Sequence, residues 1–99
     1  MLDTSAILES SSFLIGEIGD IDNEIFEARC EITRRQGVLD DYTVEVFEAH
    51  GPEFMHTMSS RRRGHMAKLD RDVTAAHAYV ASLHQDRANA LDRLRNART

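Results

Sequence analysis

The chain has 99 residues, 41% apolar and 29% charged, with a formal net charge of −5. The apolar share lies just under the ~45–50% usual for globular domains, so one small domain with a thin core is expected, and with it a need for a partner or a second copy. One Pro, five Gly and no Trp exclude a turn-rich sheet sandwich, and the single cysteine, Cys30, excludes an internal disulfide.

The N-terminus, Met1-Leu2-Asp3-Thr4, has no basic stretch followed by an apolar core. No apolar run approaches the ~18 residues that a membrane span needs. A cytoplasmic location without membrane contact is the expectation.

From there the chain is governed by heptad spacing. Ile7, Ser11, Leu14, Ile18, Ile21, Ile25, Ala28 and Ile32 alternate in steps of four and three, and the frame continues through Arg35, Leu39, Tyr42, Val46 and Ala49. Such spacing lays a narrow apolar seam along a helix and suits a second helix running alongside. It predicts a first arm over about residues 5–50. Gly37, followed by the candidate caps Asp40 and Asp41, marks a weak point where that helix could break. Residues 42–47 alternate like a strand, but no second strand is available to pair with them.

His50-Gly51-Pro52 reads as the reversal. Gly51 suits the left-handed residue that ends a helix, Pro52 the first turn of the next, and Glu53 the positive helix end. Beyond it, Met55, Ser59, Arg62, Met66, Leu69, Val73, Ala76, Val80, Leu83, Arg87, Ala90 and Leu94 form a second seam. The predicted fold is an all-α antiparallel helical hairpin, one domain over residues 1–99 with a second arm over about 53–97, pairing into a four-helix bundle or coiled-coil assembly. At ~1.5 Å per residue each arm would span roughly 65–70 Å.

Charge gives the hairpin an expected register. Residues 1–50 carry net −9 and residues 51–99 net +4. A tight reversal at Gly51-Pro52 would set Asp40 and Asp41 opposite Arg63 and Arg62, Arg34 near Asp70, and Glu9 near Arg93 and Arg95. Exposed pairs of this kind contribute only ~0.2–1 kcal/mol each, so they select alignment while the seam supplies stability. Arg62 and Arg87 fall within the seam itself, where polar residues set register or oligomeric state.

Candidate chemistry is sparse. The histidines at 50, 56, 65, 77 and 84 lack metal-ligand spacing, so neither metal nor another cofactor is expected. Cys30 lies on the outer face of its helix without a neighbouring base to activate it. Arg61, Arg62 and Arg63 with Lys68 form the one basic cluster, which could meet phosphates. A nucleic-acid-associated regulator is therefore the alternative function, weakened by the acidic whole and by the lack of interleaved aromatics for base stacking.

The stretch Ile18-Gly-Asp-Ile-Asp-Asn-Glu-Ile25 resembles the opening helix of the all-helical chorismate mutases, small dimeric enzymes of about this length. The resemblance implies arginines that hold substrate carboxylates. The family's cationic positions align here with Ile15, Ile32 and Thr43, while Arg29, Arg34 and Arg35 stand out of phase. Without converging cations a dianionic substrate has no electrostatic stabilisation, and no enzymatic activity is expected.

Off the seam, Phe13, Ile15, Phe26, Val44 and Phe47 on the first arm and Tyr79 on the second are large and apolar. A two-helix hairpin has one internal seam, so a second apolar stripe implies cover from another chain, as a homo-oligomer or with a heteromeric helical partner. In build the chain resembles the small coiled-coil accessory proteins and chaperones of bacterial specialised secretion systems. Secreted hairpins with a central Trp-x-Gly turn differ at that motif, because this chain has no Trp. The expected function is a non-enzymatic adaptor or chaperone that engages partner helices.

Overall fold

The structure is a computed structural model that describes the backbone over residues 4–98 and the side chains over residues 11–97. Three helices follow one another: α1 (Thr4–His50), the single turn α2 (Phe54–Thr57) and α3 (Ser60–Arg98). The two long helices pack against each other as an all-α helical hairpin, and no strand occurs among the described residues.

Helix α1 runs for 47 residues and is unbroken at Gly37. The seam explains its persistence: every heptad position from Ser11 to Val46 is buried or half-buried. That packing offsets the ~1 kcal/mol that a mid-helix glycine costs relative to alanine. Ala49, the last position of the frame, is exposed.

The reversal is wider than Gly51-Pro52 alone. Gly51 takes φ +75°, as its place after the last helical residue requires, and its N–H still donates to the Phe47 carbonyl at 2.7 Å. Pro52 does not open the second long helix. The Phe54 N–H donates to the Gly51 carbonyl at 3.1 Å, so Gly51 to Phe54 closes as a β-turn with Pro52 at its second position; Glu53 at φ −94°, ψ 22° gives it type I geometry. Glu53 makes no side-chain cap.

One turn of helix later, Met58 is extended at φ −68°, ψ 149° and ends α2. Ser59 then caps α3, its Oγ accepting from the Arg62 N–H at 3.3 Å. The second arm therefore begins at Ser60 and not at 53. Met55 and Ser59, placed in the seam by spacing, are exposed, and Met58 is buried in their stead. The extended residue resets the helical phase.

The chain divides into two compact units, one of Met1–Ala28 with Tyr79–Thr99 and the other of Arg29–Ala78. In the first, the terminal unit, Ile25, Ala28 and Leu83 form the buried cluster, with Ile21 and Val80 packed against it. In the second, the turn unit, Val46, Met58, Val73 and Ala76 are buried, with Ile32 and Leu69 half-buried.

Candidate interaction surfaces

In the terminal unit the two arms are pinned by ion pairs as well as by the seam. Arg87 Nε lies 2.6 Å from Asp22 Oδ1, and Arg93 Nη2 lies 3.0 Å from Glu17 Oε1. A tight reversal would have set Ala81 opposite Asp22 and Asp86 opposite Glu17. The pairing is thus slipped by nearly two helical turns at ~3.6 residues per turn, the displacement that the extra turn α2 and the Met58-Ser59 break demand. Arg87 is half-buried in the seam. The expected contacts of Glu9, and the seam position Ile7, lie outside the residues with described side chains.

Ile18 and Ile21 are half-buried on the same seam. The outer surface is apolar as well. Phe13 is 72% exposed and Phe26 70%, and Ile15 and Tyr79 are also exposed. Among the described residues of this unit the buried apolar side chains are Leu14, Ile25, Ala28, Leu83 and Ala90, so its aromatic groups are not the ones that hold it together.

The turn unit carries its charges differently from the expected register. Arg34 does not reach Asp70: its Nε donates to Glu31 Oε2 at 2.9 Å, on its own helix. Arg35 donates through Nε to Glu31 Oε1 at 2.8 Å and through Nη1 to the Asp72 carbonyl at 2.9 Å. That second bond helps a guanidinium to occupy the seam: two of its donors meet a carboxylate and the backbone of α3. The hydrogen bonds from Arg34 and then Arg35 hold the Glu31 carboxyl at about 2, well below its ordinary 4.5.

Near the reversal, Phe47 meets Phe54 edge-to-face at 6.0 Å between ring centroids, with Phe47 still exposed on its other side. Val44 is exposed as well, and so are Val38 and Met55, which spacing does not single out as surface groups. Met55, Met58 and Met66 border an apolar groove of about 420 Å³ with Asp40 and Asp70 on its rim.

The basic cluster is split. Arg63 turns toward α2, where Nη2 donates to the carbonyls of Met55 at 3.0 Å and His56 at 3.2 Å. These belong to the last turn of a helix, whose carbonyls lack intrahelical donors. Neither Arg62 nor Arg63 pairs with Asp41 or Asp40; Asp40 instead accepts from Gln36 Nε2 at 2.9 Å. Arg62, half-buried, reaches back so that Nη1 lies 3.2 Å from His50 Nε2. With Arg61 and Lys68 it borders a groove of about 690 Å³ that includes Tyr42, Glu45, Ser59 and His65.

Among the described residues no three His, Cys, Asp or Glu side chains converge as a metal site, and Cys30 is exposed. No helix among them is long and apolar enough to cross a membrane. No family model matches the chain, and neither curated proteins nor solved structures give a match.

Proposed function

We propose that this protein is a non-enzymatic helical interaction module, which covers its second apolar face by packing against a second copy or against helices of a partner protein. The observation that carries this reading is the exposure of Phe13 and Phe26 on a unit whose buried apolar residues, among those described, are the aliphatic Leu14, Ile25, Ala28, Leu83 and Ala90. Fully burying a Phe side chain contributes about 1.5–3 kcal/mol, and a hairpin with one seam leaves that contribution unused.

A four-helix bundle is the arrangement that would use it, because two hairpins then share a common core between them. In build the chain resembles the short coiled-coil adaptors and chaperones among the accessory components of bacterial specialised secretion systems. That likeness is one of architecture. Arg34 and Arg35, which stand near the positions where a helical mutase would hold its substrate, are both committed to Glu31. That favours an interaction role over catalysis.

Native mass spectrometry of the protein purified from its source cells tests the reading. The expected result is a multiple of the 11.2 kDa chain or a stoichiometric complex with one other protein. A bare single chain under all gentle conditions would overturn it.

A further inference from the structure

We propose that the groove between Tyr42 and Glu45 on α1 and the start of α3 binds a small anion bearing adjacent phosphate groups, a site independent of the apolar association face. Its walls bring three basic side chains, Arg61, Arg62 and Lys68, to a space of about 690 Å³ against a single carboxylate, Glu45. In a chain of net charge −5 this is a local excess of the opposite sign.

The cations are also uncompensated. Arg61 and Lys68 make no hydrogen bond or ion pair with any described residue. Arg62 is directed but not neutralised, since its contact is His50 Nε2 at 3.2 Å. His65, on the same wall, is braced edge-to-face against Tyr42 at 4.5 Å between ring centroids and can add an N–H donor.

Helix α3 adds to this. Its first turn holds no acidic residue and several arginines, although the positive end of a 39-residue helix disfavours cations there. Ser59 caps only the Arg62 N–H through its hydroxyl and the Arg63 N–H through its carbonyl. The Ser60 and Arg61 N–H groups have no helical partner. A phosphate group would relieve both the charge and the open donors. Two guanidinium groups and one ammonium match the charge of a diphosphate better than that of a single phosphate, and arginine binds such oxygens bidentately.

Isothermal titration calorimetry with inorganic diphosphate at ~0.15 M salt tests the site, with the Debye length there short enough (~8 Å) to suppress diffuse attraction. Saturable one-to-one binding with a dissociation constant below about 1 mM is expected. Arg61→Gln and Lys68→Gln should each weaken it tenfold or more, and Arg95→Gln, a basic residue elsewhere that pairs with Asp92, should leave it unchanged. Circular dichroism confirms that each variant is folded. Tighter binding of a nucleoside diphosphate than of inorganic diphosphate would identify a nucleotide as the source of the phosphates, and equal binding the diphosphate group alone. Absence of saturable binding, equal weakening by Arg95→Gln, or much tighter and steeply salt-dependent binding of a single-stranded oligonucleotide would overturn the proposal.

Discussion

Truncating Leu83 to alanine separates what holds the hairpin from what its surface is for. Leu83 is 4% exposed and packs on Ile25 and Ala28, with Ile21 and Val80 alongside. The substitution removes three carbon groups from an apolar site, about 2.4 kcal/mol at ~0.8 kcal/mol each, before any residual cavity is counted. Leu→Ala changes in cores cost about 2–5 kcal/mol, and in a cluster only two helices thick the neighbours close in readily, so a loss of about 2.5–3 kcal/mol is expected. For a domain of this size ~1 kcal/mol moves the melting temperature by about 4–8 °C, which places the Leu83→Ala midpoint roughly 10–24 °C below the parent by circular dichroism.

The control is Phe26→Ala. Phe26 is a larger side chain, and in a core its loss would cost about 3–5 kcal/mol. At 70% exposure it should cost the dilute chain far less than Leu83→Ala does, with its effect appearing only as a loss of concentration dependence in the melting curve. A Leu83→Ala midpoint within about 3 °C of the parent, less than 1 kcal/mol is worth, would refute the assignment of the inner and outer faces. So would a larger loss from Phe26→Ala at every concentration.

Three further outcomes follow from individual contacts. A double-mutant cycle on Asp22 and Arg87 should give a coupling of about 0.2–1 kcal/mol by chemical denaturation, while the Asp41 and Arg62 cycle should give none; the reverse would restore the tight-reversal register. Gly37→Ala should stabilise the protein by about 0.5–1 kcal/mol, because a methyl group there meets nothing within 4 Å and the site is helical; destabilisation would show that the helix needs its glycine. Glu31 has a folded-state pKa of about 2, lowered from 4.5, so its pairing with Arg34 and Arg35 stabilises fully above pH 4.5 and is lost as pH falls from 4.5 through 2. Glu31→Gln should therefore flatten the acid limb of the melting temperature in that window, and an unchanged limb would count against the pairing.

Much of the hairpin is legible in the sequence because its signal is repetitive. The steps of four and three that place Ile18, Ile25, Val73 and Leu83 inward are read from many residues at once, and a supercoiled seam tolerates a local misfit such as Gly37. The reversal is not legible in the same way. Met55 and Ser59 continue the spacing of the second seam in the sequence, so periodicity passes smoothly over a break that the backbone makes at Met58. The clue lies in Ser59, a good N-cap, standing three residues before an amide that its hydroxyl can accept from.

The difference in register propagates from there, since every expected ion pair is counted from Gly51-Pro52. Arg63 departs from its expected place for the same reason. Its carbonyl partners at Met55 and His56 are open only because α2 ends just beyond them, and α2 has no periodic signature of its own. The exposed positions are easier to read, because Phe13, Phe26 and Tyr79 are excluded from the seam by spacing alone and a hairpin has no third element to bury them.

Sedimentation equilibrium over a wide concentration range, comparing the parent with a Phe13→Ser, Phe26→Ser double variant, tests the interaction reading most directly. The parent is expected to populate species larger than 11.2 kDa, alone or with its copurified partner, and the double variant to revert to a folded single chain. A parent that stays a single chain at every concentration and binds no partner, or a double variant that associates as the parent does, would contradict it.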